Sequence, residues 1–267
     1  MHSTFALEDL TTISPKHPPG VISALIQDDP EFSEQPPLVL IHDGGGTTVN
    51  YYYLADLERH VWGISNEMLV DNAAWPGGIN QLARTYVDLI LSELPHGPLI
   101  FGGWSVGGLI GLEMAKILAG NAQTPVLGVV MLDTYYPSAE DGGRDRDAPP
   151  IEWGEATTEE SKNVTLKSLE NSAKFSQQWA RGNQDALSKA AVPPVILLRA
   201  SQSHSVSDAK IRGGTKVLGW ENQQSGFFTR VIDVPGNHYT LFKDENVDGL
   251  TEGLIQACEL LEDADEA

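Results

Sequence analysis

Basic residues are scarce in this chain and cysteine is nearly absent. Only 17 lysines and arginines stand against 37 aspartates and glutamates, a formal net charge of −20. So acidic a chain offers no basic face, which excludes nucleic acid and anionic membrane as expected partners. One cysteine, Cys258, leaves no internal disulfide and suits a reducing compartment. The first twenty residues, MHSTFALEDLTTISPKHPPG, hold neither an apolar signal core nor an arginine-rich amphipathic pattern, so a cytoplasmic location is expected. Long uncharged apolar runs are missing too. The most apolar stretch, 98–120, is broken by Glu113 and Lys116 and is rich in glycine, which makes a poor membrane span. There is no internal repeat, and no G-x-x-x-x-G-K-[ST] phosphate loop. No metal is expected.

What is present is enough for a sizeable core. A length of 267 residues, 41% of them hydrophobic, fits a single α/β domain over 1–267. Buried strands are read at PPLVLIHDGGG, GPLIFGG, TPVLGVVMLD, PPVILLRA and FFTRVIDVPGNH, with shorter ones at GVISALIQ and HVWGISNE. Apolar residues at helical spacing mark 78–94, 105–119 and 246–262. Strands alternating with helices predict a mainly parallel, doubly wound sheet, with sites at the carboxyl ends of its strands. Residues 134–192 carry no strand signal and read as a helical lid inserted above the sheet. Their front, SAEDGGRDRDAPP, is polar. Their back half, about 158–181, carries an apolar stripe of Leu166, Leu169, Phe175 and Trp179. That stripe either packs on the sheet edge or roofs an acyl channel.

Chemistry concentrates in FGGWSVGGLIG, where Gly102, Gly103, Gly107 and Gly108 surround one serine. Gly103-Trp104-Ser105-Val106-Gly107 matches G-x-S-x-G between a strand and a helix, the context of a nucleophile elbow. A serine at neutral pH needs a base. Among seven histidines, His238 alone follows the last strand, where the order serine, acid, histidine places the base. Two aspartates are candidates for the acid that orients it. Asp133 sits at the tip of the strand VVMLD and is preferred. Asp208 lies in the polar loop after VILLRA and remains the alternative, whereas Asp233 lies within its strand. An oxyanion needs two donors. The N–H of Val106 is one, and Gly44 in the loop HDGGGTT is the expected other, with Asp43 and Gly45 beside it.

At these residues the chain resembles the α/β-hydrolase thioesterases that release products from polyketide and nonribosomal peptide synthetases, above all those of filamentous fungi. IHDGGGTT, GGWSVGG, VVMLDTYYP, ILLRAS and DVPGNHYTLF occur in that order, and the likeness runs from about Pro37 to Leu261. An acid placed after VVML is the more specific feature and favours Asp133. The resemblance implies an α/β-hydrolase fold and a small-molecule acyl thioester carried on the phosphopantetheine of an acyl or peptidyl carrier protein. It also implies an acyl-Ser105 intermediate and no cofactor. Trp104, Tyr135, Phe175 and Trp179 are the expected substrate contacts. Many relatives have proline after the loop histidine, where this chain has Asp43. Two other readings stay open: an esterase of soluble esters, and a catalytically silent binding protein on the same fold.

Overall fold

The computed structural model describes residues 20–94, 96–137, 147–154, 156–183, 192–222 and 226–265. Seven strands form one sheet: β1 (Val21–Gln27), β2 (Leu38–Ile41), β3 (Val61–Asn66), β4 (Leu99–Trp104), β5 (Val126–Leu132), β6 (Val195–Ala200) and β7 (Arg230–Val234). Their order across the sheet is β1-β3-β2-β4-β5-β6-β7. Only β1 runs antiparallel, against β3. The other neighbours are parallel. The helices are α1 (Gly78–Glu93), α2 (Val106–Ile117), α3 (Glu159–Asn183), α4 (Val206–Gly214) and α5 (Val247–Asp265).

Central strands are apolar at every position because both faces are covered. Along β2, Val39 and Ile41 face a core shared with α1, α2 and α3, while Leu38 and Leu40 face the α5 side. β5 divides the same way, with Val129 and Met131 on one side and Val130 and Leu132 on the other. The period of two therefore assigns each side chain to a layer even where no polar residue marks the alternation.

The strands and helices expected from the sequence are present, with one addition. The polar stretch after β6, read as a loop, contains α4. Ser205 caps this helix by accepting the Asp208 N–H at 3.0 Å. Most of the polar front of the expected lid, 138–146, lies outside the described residues. So do the segment 184–191 and the first nineteen residues of the chain. Among the described residues, no helix is long and apolar enough to cross a membrane.

Candidate active site

The serine, the preferred acid, the histidine and the glycine-loop residues lie just past the carboxyl ends of parallel strands. His42 and Asp43 follow β2, Ser105 follows β4, Asp133 follows β5 and His238 follows β7. This is the open edge of a doubly wound sheet, where the turns are free to carry side chains.

Ser105 caps α2 with φ 58° and ψ −122°, a region that a side chain rarely enters. Its N–H donates to Leu132 O at 3.0 Å, which ties the strained turn to β5. Its carbonyl accepts from Thr134 Oγ1 at 2.9 Å. The flanking glycines are needed for space. A Cβ on Gly107 would sit 2.6 Å from Ile41 O, and one on Gly103 would sit 2.5 Å from the Gly107 carbonyl carbon. Only a bare backbone lets the helix start so close to β2 and β4. The result is a hydroxyl at a helix N-terminus, whose free N–H groups favour negative charge.

Asp133 is fully buried and also takes a positive φ, 47°. His238 Nδ1 donates to its Oδ2 at 2.9 Å. The Ala200 N–H donates to its Oδ1 at 2.8 Å, and Arg212 Nη2 donates to Oδ2 at 2.7 Å. Burial pushes the carboxyl pKa up. The hydrogen bonds and charges of His238 and Arg212 outweigh burial and hold it below the usual carboxylate range. The acid therefore stays ionised. Because Nδ1 carries a proton toward Asp133, neutral His238 keeps Nε2 free as an acceptor. The imidazole is packed between Trp104, Tyr135 and Tyr239, at ring distances of 5.4, 5.6 and 5.0 Å. Trp104 is the residue before Ser105, so this packing sets the imidazole near the serine turn, although no hydrogen bond between Ser105 and His238 is among the described contacts.

Asp208, the alternative acid, is not part of this bond. It is buried and accepts from Arg212 Nε, from the His204 N–H at 3.0 Å and from the Tyr135 hydroxyl. Its partner is a guanidinium, and among the described contacts no bond joins it to His238. Asp233 pairs instead with Arg199, at 2.7 and 3.0 Å.

The loop after β2 is a turn built around Asp43. Its N–H donates to Thr47 O at 3.1 Å, and its carbonyl accepts from the Gly46 N–H at 3.1 Å. Its Oδ1 accepts from the N–H groups of Gly45 at 2.8 Å and Thr47 at 3.2 Å. The Gly44 N–H is left as the donor in the turn without a partner among the described residues. Behind the turn, Asn66 Nδ2 donates to the Tyr86 hydroxyl at 2.7 Å, and Tyr86 in turn donates to His42 Nε2 at 2.7 Å. His42 Nδ1 therefore carries the proton and donates to Asp43 O at 2.6 Å. In a trans peptide the carbonyl and the following N–H point opposite ways, so drawing Asp43 O inward turns the Gly44 N–H outward. Burial pushes the His42 pKa down to about 4, which keeps it neutral. Burial pushes the Asp43 carboxyl up to about 6, despite N–H donors that favour its charged form.

The apolar stripe of α3 is divided in two. Leu166 and Leu169 are exposed, and Leu169 lies 3.0 Å from where a side chain on Gly44 would begin. Ser172 Oγ donates to Gly44 O at 2.8 Å, which seats α3 on the turn. Phe175 and Trp179 are each only 3% exposed and belong to the core. Trp179 Nε1 donates to Glu113 of α2 at 2.7 Å, and its ring meets Tyr136 and Trp220. This corrects the expectation that Phe175 and Trp179 contact substrate. A helix lying against α1 and α2 needs its largest apolar groups for packing, and both are used there. Trp104 and Tyr135 do flank His238. The Tyr135 hydroxyl is tied to Asp208 and Arg212, whereas the Trp104 indole N–H is buried without a partner among the described residues.

The comparisons with known proteins identify the family. A family model for the thioesterase domain matches residues 36–258.

The chain belongs to the thioesterase family.

It is 34% identical to the thioesterase frbE of Dothideomycetidae sp. (strain 11243), over 85% of this chain and 90% of that one. It is also 34% identical to the thioesterase AMT4 of Alternaria alternata, over 85% of each. A shorter match, 47% identical over 38% of this chain, falls within 3% of the nonribosomal peptide synthetase imqB of Aspergillus flavus. Among solved structures, the NocB thioesterase domain of the nocardicin cluster superposes with a TM-score of 0.63 at 24% identity. It covers 89% of this chain and 97% of that one, which supports the same α/β-hydrolase fold. The thioesterase is thus an enzyme of the hydrolase class. Among its described residues, no cluster of three or more histidine, cysteine, aspartate or glutamate side chains is arranged to hold a metal.

Arg212 is the residue that sequence reasoning missed. Its signal was present: Ser205-x-x-Asp208 is a capping box that opens a helix, and Arg212 stands one turn beyond Asp208.

Proposed function

We propose that this thioesterase releases an acyl chain from the phosphopantetheine thioester of a carrier protein through an acyl-Ser105 intermediate. His238 takes the proton of Ser105 as the hydroxyl attacks the thioester carbonyl. Asp133 holds the imidazole in the correct tautomer and stabilises the imidazolium that forms. The N–H groups of Val106 and Gly44 receive the oxyanion. The thiol leaves with the proton from His238, and His238 then activates the acceptor. If that acceptor is water, the product is a free acid. If it is a nucleophile of the same chain, the product is a ring.

The single observation that carries the reading is the buried Asp133–His238 hydrogen bond, held beside a serine in strained backbone at the start of a helix. Such strain persists only where surrounding structure enforces it. Family membership favours a thioester over a soluble ester. The match to a segment of a peptide synthetase favours a carrier-bound chain. Trp104 and Tyr135 flank the imidazole and are the proposed substrate contacts. The exposed Leu166 and Leu169 of α3 are proposed to meet the acyl chain near the oxyanion turn.

Mass spectrometry of products from a panel of acyl thioesters, run beside the matching soluble esters, tests this. Faster release from carrier-bound thioesters supports the proposal, and free acid or cyclic product identifies the acceptor. Equal or faster cleavage of soluble esters overturns the thioester assignment.

A further inference from the structure

We propose that Arg212 is a positioning residue for the acid of the triad, and that Asp208 serves to hold Arg212. The inference rests on the triad reading above.

The Arg212 guanidinium has five N–H donors, and all five have partners. Nε donates to Asp208, at 3.0 Å to Oδ1 and 2.9 Å to Oδ2. Nη1 donates to Ala200 O at 2.6 Å and to Asp133 Oδ1 at 3.2 Å. Nη2 donates to Asp133 Oδ2 at 2.7 Å and to the Tyr135 hydroxyl at 2.5 Å. The Tyr135 hydroxyl in turn donates to Asp208. A planar fork with every donor occupied has one orientation. It grips both oxygens of Asp133 side by side and fixes the plane of the carboxylate that faces His238.

The tip of β6 completes the clamp. Ala200 donates its N–H to Asp133 and accepts from Arg212 with its carbonyl, so one residue registers both side chains. Asp133 needs this support. It sits at positive φ in a turn, and its Oδ2 accepts from His238 and from Arg212 together.

Charge gives Asp208 its second part. Arg212 alone would neutralise Asp133 and weaken the attraction that stabilises the imidazolium. Asp208 restores one negative charge to the cluster. The titratable and charged groups facing His238 are few. Asp133 comes from the end of β5, and Tyr135 lies just beyond it. Tyr239 lies next in the loop after β7. Arg212 and Asp208 of α4 act through Asp133. His204, before α4, reaches Asp208 at 3.0 Å and stacks edge-on to Tyr239. Burial raises the Asp208 pKa, but the hydrogen bonds from Tyr135, Arg212 and the His204 N–H outweigh it and keep the carboxyl ionised.

The test is steady-state kinetics across pH on Arg212→Lys, Arg212→Gln, Asp208→Asn and the Arg212→Gln/Asp208→Asn double variant. Asp133→Asn is the control, and circular dichroism confirms folding. Arg212→Lys keeps the charge and loses the fork. It is expected to lower kcat about a hundredfold with KM nearly unchanged, and to leave the acidic limb of the kcat/KM profile in place. Arg212→Gln removes a positive charge, so that limb moves to higher pH. Asp208→Asn removes a negative charge, so the limb moves to lower pH, by roughly half a unit or more in each case. The double variant returns the limb toward its wild-type position and is no slower than Arg212→Gln alone. If Arg212→Gln does not fold, Arg212→Lys and Asp208→Asn carry the test. Wild-type kcat in Arg212→Lys, with an unmoved limb in Asp208→Asn and an inactive Asp133→Asn, overturns this inference and leaves the triad standing. An Asp133→Asn variant with wild-type turnover overturns the triad reading, and this inference with it.

Discussion

Asp133 and His238, 105 residues apart in the chain, are joined by a buried hydrogen bond of 2.9 Å. The bond fixes which imidazole nitrogen holds the proton, and therefore which one is available to Ser105. Asp133→Asn presents an amide where an acceptor of charge is needed and turns the imidazole to the wrong tautomer. Turnover is expected to fall about ten-thousandfold with the fold retained. Asp208→Asn is expected to cost far less, about tenfold, because its partner is Arg212. Purified variants assayed side by side on one acyl thioester check this. A dead Asp208→Asn beside an active Asp133→Asn would reverse the assignment.

Asp43 is a carboxyl inside the proposed oxyanion turn, with its pKa raised by burial to about 6 from 3.8. A folded-state pKa above the unfolded value means that the folded chain binds the proton more tightly. The stability contributed by protonated Asp43 is present below pH 4 and is lost as pH rises from about 4 to 6. Asp43→Asn keeps an oxygen that can accept from Gly45 and Thr47, and it cannot ionise. Thermal melts of the two proteins are expected to separate in favour of the variant across that interval, with a constant difference above it. The variant should match or exceed wild-type kcat above pH 6, where wild-type Asp43 puts a negative charge beside the proposed oxyanion. A variant that loses stability relative to wild type as pH rises would contradict this.

How far the sequence was legible follows from which signals are local. The nucleophile elbow, the strand-tip aspartate and the loop histidine each announce themselves in a short window, and the structure brings Asp133 and His238 together as expected. The central strands were visible as apolar runs because both their faces are buried. The role of His42 was not visible, because it depends on Tyr86, 44 residues further on, and on Asn66, which bonds Tyr86 from 20 residues before it. Helix α4 was hidden by its polar composition despite its capping box. The stripe of α3 was legible as a stripe, but periodicity does not say what covers each part of it. Leu169 of its first half lies beside the Gly44 turn, and its second half meets α1 and α2.

That division gives a prediction for Trp179. Its ring lies in the core and its N–H is bonded to Glu113. Trp179→Ala is expected to destabilise the protein by about 3–5 kcal/mol. The chain-length preference on thioester mimics should not change at a temperature where the variant is folded. Chemical denaturation and a substrate panel measure the two effects separately. A shifted preference at unchanged stability would place Trp179 in the acyl channel.

Gly107 offers a direct check on the elbow. An alanine Cβ there meets the carbonyl oxygens of Ile41 at 2.6 Å and His42 at 2.7 Å, both backbone atoms with no rotamer to adjust. Gly107→Ala is expected to give little folded protein, or a folded protein with the proposed oxyanion turn displaced and turnover down about a hundredfold or more. Expression and activity both at wild-type level would show that the helix does not start where the structure has it.

The central claim is that Ser105 carries the acyl group. Trapping the wild-type enzyme with a slowly released acyl-thioester mimic, followed by peptide mapping, measures this most directly. The expected result is the mass of one acyl group on the peptide containing Ser105. That adduct should be absent in Ser105→Ala, which stays folded and turns over roughly a thousandfold more slowly or worse. Normal turnover by folded Ser105→Ala, or an adduct mapped to any other residue, would contradict the account.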